Sequence, residues 1–187
     1  KGKITMMTSR ETLIEHLKQG NSVKYLHFWG HTPKSDGVDK SCLSQWFPAS
    51  FVVDGDTYLT AEHYMMAQKA RLFNDGAMLG AVLACEHPAE AKKFGRQVKN
   101  FDAGTWNEKC FDYVVAGNVA KFGQNTALKS FLLGTHNRVL VEASPRDRIW
   151  GIGMGAANEN ACNPEKWRGR NLLGFALMVA RQHLAGV

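Results

Sequence analysis

The stretch Phe51-Val52-Val53-Asp54-Gly55-Asp56-Thr57-Tyr58-Leu59-Thr60-Ala61-Glu62-His63-Tyr64-Met65-Met66-Ala67-Gln68-Lys69-Ala70 sets the fold class. Two short β-rich runs flank Asp54-Gly55, a dipeptide suited to the positive φ values of a tight hairpin turn. The pattern predicts a hairpin over 50–60. Thr60 then offers a hydroxyl N-cap, and a helix is expected from Ala61 to about Phe73. A hairpin running straight into a helix is local antiparallel pairing, and it departs from the strict β-α alternation of a parallel doubly wound sheet.

Toward the N-terminus, Leu13, Ile14 and Leu17 form the apolar stripe of a helix over about Ser9 to Gln19. Thr8-Ser9-Arg10-Glu11 reads as its capping box and Gly20-Asn21 as its stop. Val23 to Trp29 is a strand candidate, and His31 to Ser41, with Pro33, Asp36 and Gly37, is a loop. Toward the C-terminus, a helix is expected over about Ala77 to Cys85. Another has Pro88 at its first position and ends before Asn100. Thr105-Trp106-Asn107-Glu108 reads as a capping box opening a helix that reaches Phe122, with Gly123 as its stop. A shorter helix covers Thr126 to Leu133, a strand Arg138 to Ala143, and a last helix Leu172 to Leu184. The sum is an α+β fold, mostly helical with a small β-sheet. No repeat, low-complexity segment or linker divides residues 1–187, so one domain is expected.

The chain has 187 residues, 44% hydrophobic and 21% charged, which is the composition of an ordinary globular protein. That length suffices to bury about 70% of the unfolded surface. No window approaches the ~18 apolar residues of a membrane span, and Lys1 to Ser9 is too polar for a secretory signal. Cys42, Cys85, Cys110 and Cys162 are scattered without a C-x-x-C pair, so they read as reduced thiols of a cytoplasmic protein. The formal net charge of +6 favours an anionic partner, a nucleic acid or a phosphorylated small molecule.

Three segments could carry chemistry. In the first, residues seven apart on a helix return to within about 20° of one direction, so Glu62 and Lys69 share a face. A carboxylate and an amine on one wall could act as acid/base and nucleophile, and an exposed charge pair is the plainer alternative. Glu62 lies in the first turn, where the helix dipole favours its anion, as suits a base or a stabiliser of an oxocarbenium ion. The second segment, Glu142 to Gly155, places Asp147 between Arg146 and Arg148, followed by Trp150 and the alternating Gly151, Gly153 and Gly155. Its glycines would let backbone N–H groups approach a ligand and its Trp would stack, unless the whole is simply a structured surface loop. The third, Lys166 to Gly174, sets Arg168, Arg170 and Asn171 before the last helix, either as a phosphate cradle at the helix N-terminus or as a solvated basic turn. The seven histidines lack metal-ligand spacing, and no Ser or Cys sits in a nucleophile elbow.

Together these segments resemble the NADAR (YbiA-like) family. The L-S-N-F-like segment appears as Leu43-Ser44-Gln45-Trp46-Phe47-Pro48, with Gln45-Trp46 departing from the usual Asn-Phe. E-H-Y-x-x-A-Q-K-A appears over Glu62 to Ala70, L-V-E-x-S-x-x-D-x-x-W-G-x-G over Leu140 to Gly153, and G-[KR]-N-x-L-G over Gly169 to Gly174. The resemblance covers about Tyr25 to Leu184 and leaves residues 1–22 as an N-terminal helical extension. It implies a YbiA-like fold and N-glycosidase activity, toward phosphoribosylamino-pyrimidine intermediates of riboflavin synthesis or toward ADP-ribose on guanine. It implies Glu62, Lys69 and Asp147 as catalytic. Trp106, Trp150, Gly151, Gly153, Arg168, Arg170 and Asn171 become the expected substrate contacts, with no metal or organic cofactor required. A non-catalytic sensor of NAD- or ADP-ribose-like ligands is the alternative, and the paired acid and amine on one helix argue against it.

Overall fold

The computed structural model describes residues 7–186, so the reading of the polar start falls, from Lys1 to Met6, outside the described residues. In chain order come α1 (Arg10–Lys18), β1 (Tyr25–Phe28), β2 (Phe51–Val53), β3 (Asp56–Tyr58), α2 (Ala61–Leu72) and α3 (Gly76–Ala84). Then follow α4 (Pro88–Arg96), α5 (Ala103–Gly123), α6 (Thr126–Gly134), β4 (Val139–Glu142) and α7 (Leu172–Leu184). Single-turn 3-10 helices form at Lys40–Leu43 and Pro164–Lys166. The fold is α+β and mostly helical. Its contacts sort into two compact units, one of Lys1–Trp29 with Leu132–Val187 and one of Gly30–Phe131. We call them the terminal and the middle unit, after their places in the sequence.

In the middle unit the hairpin forms as the turn chemistry predicts. Asp54 and Gly55 both take positive φ (51° and 85°), and Phe51 pairs with Tyr58 across the antiparallel ladder. Thr60 caps α2 by accepting a hydrogen bond from the His63 amide at 3.2 Å. Around α2 pack α3, α4 and α5. Gly95 of α4 lies so close to Met66 that a Cβ there would overlap the thioether, and a Cβ on Gly117 of α5 would come within 2.7 Å of the Tyr64 ring. Tyr64 meets Tyr58 edge-on at 5.1 Å and Phe51 at 5.9 Å. Wrapped on every side, α2 buries almost its whole first two turns, Ala61 through Ala67.

In the terminal unit β1 and β4 pair in parallel, Tyr25 with Val139 and Phe28 with Glu142, and α7 packs on β4. The strands thus form two separate two-stranded sheets rather than one. A parallel pair cannot close through a tight turn, and here the partners lie far apart in sequence. Helix α1 docks on the Pro164–Lys166 turn, where Arg10 Nε donates to the Pro164 carbonyl at 2.8 Å.

Two helix starts differ from the sequence reading. The capping box of α1 is Ser9 with Thr12, one residue later than expected. The cap of α5 is Asp102, whose carboxylate accepts from the Thr105 amide at 2.8 Å and its hydroxyl at 2.7 Å. In both cases a second polar residue nearby competes for the cap, and the one with an oxygen reaching the N3 amide wins. Among the described residues no helix is long and apolar enough to cross a membrane.

Candidate active site

The N-terminal turn of α2 is fixed by His63, which is buried. Its Nε2 lies 3.0 Å from the Cys85 carbonyl and its Nδ1 2.7 Å from the Thr60 hydroxyl. A carbonyl only accepts, so Nε2 carries the proton and Nδ1 accepts from Thr60. Burial lowers the His63 pKa, so the ring stays neutral. It ties the cap of α2 to the end of α3. The preceding residue, Glu62, is 7% exposed, which rules out the exposed charge pair that spacing alone allowed. Its backbone N–H donates to the Gln45 carbonyl at 3.0 Å.

Two turns along, Lys69 is half-buried. Its Nζ lies 4.6 Å from the centroid of the Phe101 ring and 5.7 Å from that of Trp106. Burial pulls the Lys69 pKa below its ordinary value, the Glu62 charge pushes it up, and Arg96 lowers it further. The amine is therefore easier to deprotonate than a surface lysine, as a nucleophilic role requires. Its shielding comes from Phe101 and Trp106. Tyr64 and Gln68 instead face the hairpin: Gln68 Nε2 donates to the Tyr64 hydroxyl, and Arg71 links Gln68, Tyr58 and Asp56. Trp106 is 9% exposed and its ring packs on Tyr113 at 6.0 Å.

Two residues beyond the sequence reading organise this end of the middle unit. Lys121 of α5 is fully buried, and its Nζ donates to the carbonyls of Cys42 (2.7 Å) and Ser44 (2.9 Å) while lying 4.9 Å from the Phe122 ring centroid. Burial brings its pKa down to about 7. One turn earlier, Asn118 Nδ2 donates to Gln45 Oε1 at 2.9 Å and to the Val114 carbonyl at 2.9 Å. Helix α5 thereby holds residues 42–45, whose last carbonyl receives the Glu62 amide. Periodicity gave no hint of this, because a lysine inside a helical pattern reads as solvent-facing.

In the terminal unit the candidates sit in the long connection 143–171. Asp147 is half-buried, and its Oδ1 accepts from the amides of Ile149 (2.9 Å) and Trp150 (2.8 Å). Trp150 is half-buried, and Arg168 and Arg170 are exposed. Three expected contacts have a different duty. Asn171 is 0% exposed; its Oδ1 accepts from the Glu142 amide and its Nδ2 donates to the Leu140 carbonyl, both at 2.9 Å. It clamps the start of α7 to β4 with both ends of its amide engaged. Gly151 and Gly153 are buried and packed by the chain itself: a Cβ on Gly151 would come within 2.9 Å of the Glu142 carbonyl, and one on Gly153 within 3.0 Å of Arg168 Cβ. The close approach these glycines allow is loop against loop, with Gly153 also at φ 70°. The amides that a phosphate cradle would use are occupied too, Leu172 N–H by the Ile149 carbonyl and Leu173 N–H by that of Trp150, both at 3.1 Å.

No disulfide joins the four cysteines, of which Cys42 and Cys110 are buried and Cys162 is exposed. Among the described residues no group of three or more His, Cys, Asp or Glu side chains could hold a metal ion.

Residues 27–185 match the NADAR domain. The chain belongs to the NADAR family. It is 42% identical to an N-glycosidase of Acanthamoeba polyphaga mimivirus over 164 residues, covering 85% of this chain and 95% of that protein. It is 32% identical to a riboflavin biosynthesis protein of Vibrio vulnificus, over 76% of this chain and 35% of that longer protein. The NMR structure of Escherichia coli YbiA superposes with a TM-score of 0.70 at 27% identity, covering 88% of this chain and 87% of that one. As a NADAR protein with a relative named N-glycosidase matched over nearly its whole length, the chain is an N-glycosidase. The Gln45-Trp46 departure from the NADAR pattern has a structural partner in Asn118, which holds the longer amide.

Proposed function

We propose that this N-glycosidase cleaves the bond between a nitrogenous base and a phosphorylated ribose, with Glu62 and Lys69 as its chemical groups. The observation that carries the reading is a buried carboxylate that acts electrostatically on an amine whose pKa burial has lowered, the two standing two turns apart on α2. Pure ligand binding needs neither the burial nor the pairing, and both serve catalysis.

In this reading the C1′–N bond breaks, its electron pair goes to the base nitrogen, and that nitrogen takes up a proton. Positive charge develops on the sugar and is stabilised by the Glu62 carboxylate. The neutral Lys69 Nζ forms a bond to C1′ and gives up a proton. The C1′–O4′ bond then opens, its electron pair going to O4′, which takes up a proton, and the nitrogen lone pair forms the C1′=N bond of an iminium. Water adds at C1′ and loses a proton, Nζ takes up a proton and departs with the C1′–N electron pair, and the phosphorylated ribose is released as its aldehyde, which can close again. Trp106 walls the amine. For Asp147 as a further catalytic carboxylate, Trp150 as a stacking face and Arg168 and Arg170 as phosphate contacts, the support is the family motif, and each is tested by substitution.

ADP-ribosylated guanine and phosphoribosylamino-pyrimidines are the two substrates to test. Incubation of the protein with each, followed by mass spectrometry, should yield free ADP-ribose from the first or free ribose phosphate from the second. Intact ligand in both would make the protein a sensor. Borohydride added during turnover should trap the opened sugar on the peptide containing Lys69, and Lys69→Arg should lose both the adduct and most of the rate, since a guanidinium stays protonated. An active Lys69→Ala variant with no adduct in the wild type would leave direct attack by water.

A further inference from the structure

We infer that Phe101, a residue outside the family motifs quoted above, is the face on which the substrate's base stacks, and so favours ligands that carry a base over those that do not. The inference rests on the roles proposed for Glu62 and Lys69. Phe101 is 47% exposed in a unit whose other aromatics near Lys69 are covered. A single exposed ring is ordinary; its position is what matters. Its centroid lies 4.6 Å from Lys69 Nζ, nearer than that of Trp106. An attacking nitrogen must come within about 3–3.5 Å of the reacting carbon, and the departing base is bonded to that carbon. A base leaving C1′ beside Nζ is therefore within reach of the Phe101 ring.

The ring is also held in place. Asn100 before it takes a left-handed φ of 58°, Asp102 after it caps α5, and Phe73 braces it edge-on at 5.4 Å and 66°. Fixed by its neighbours and only about half covered, it presents a preformed flat surface. Such surfaces accept any base, because every base has a π-face. Trp106 cannot serve in the same way: it is 9% exposed and packed against Tyr113. Beside the amine, the ring open to a base is that of Phe101.

The test compares two probes differing by the base, guanosine 5′-monophosphate and ribose 5-phosphate, as competitive inhibitors of the full-length enzyme and its Phe101→Ala and Phe101→Trp variants. Phe101→Ala should weaken inhibition by the nucleotide about 5- to 150-fold, the range expected for one stacked base, and leave that by ribose 5-phosphate within about twofold. Phe101→Trp should restore the nucleotide. Equal weakening of both probes would mean that Phe101 only supports the fold, and unchanged nucleotide inhibition would mean that the base lies elsewhere; either overturns the inference while the reaction stands. A wild-type protein that turns over neither substrate and binds neither probe overturns the proposed function along with it.

Discussion

The candidate catalytic residues of the two units stand on different kinds of backbone. In the middle unit, Glu62 and Lys69 ride on α2, a helix whose main chain is closed by its own hydrogen bonds and by the Thr60 cap. In the terminal unit the equally motif-rich connection 143–171 is almost without regular structure, so its backbone groups must find partners individually. Asp147 Oδ1, the Asn171 amide and the close-packed glycines are spent on that task. A motif dense in charged and polar residues can mark chemistry or the upkeep of a loop, and the nature of the supporting backbone separates the two.

The largest effect expected from this contrast is on rate. Glu62→Gln keeps the size of the side chain and removes its charge, so kcat should fall about 10²- to 10⁴-fold with the melting temperature nearly unchanged. The same loss of charge can be tried in the other unit, because Asp147→Asn retains an oxygen for Ile149 and Trp150. A wild-type kcat in Glu62→Gln would break the comparison, and so would a comparable loss in Asp147→Asn, which would assign Asp147 a catalytic charge beyond its loop bonds; an Asp147→Asn variant close to wild type would sharpen it.

Next comes stability in the terminal unit. Asn171→Ala strands two backbone groups of β4, the buried Leu140 carbonyl and the part-buried Glu142 amide, at about 1–3 kcal/mol each. Denaturant unfolding should therefore show a loss of about 2–5 kcal/mol, whereas Arg168→Ala on the exposed side of the same turn should stay within about 0.5 kcal/mol. If Asn171→Ala unfolded like the wild type and lost only affinity, it would be a ligand contact after all.

The effect that is smallest at neutral pH has a distinctive pH dependence. Lys121→Met removes two hydrogen bonds from the Cys42 and Ser44 carbonyls and also the burden of a buried ammonium, for a net loss of about 1–3 kcal/mol. The folded-state pKa of Lys121, about 7, lies below the ordinary 10.5. Between these values the unfolded chain binds more protons, so this group makes the wild type more stable as pH rises. The gap between wild type and variant should widen from pH 7 to pH 10 in thermal melts, and a constant gap would show that Lys121 does not titrate there.

Much of the chain was legible without a structure. Caps, turn dipeptides and apolar spacing act over a few residues, so the hairpin at Asp54-Gly55, helix α2 behind Thr60 and the span of α7 could be read directly. The two misread helix starts, at Ser9 and Asp102, are places where neighbouring polar residues offered rival caps. The family motifs likewise drew attention to Glu62 and Lys69 before any contact was known.

What tertiary structure alone decided is everything that depends on residues far away in the sequence. The parallel pairing of Tyr25 with Val139 has no local signal. The burial of Glu62 follows from helices packing around α2, and the setting of Lys69 from the Phe101 ring over thirty positions later. Lys121 looks like any surface lysine until residues 42–45 fold over it, and Gly151 and Gly153 look like ligand loops until segment 168–174 closes on them. Propensity is a property of a residue and its neighbours, so sequence carries it. Burial, and with it proton affinity, is set by whatever the fold brings alongside.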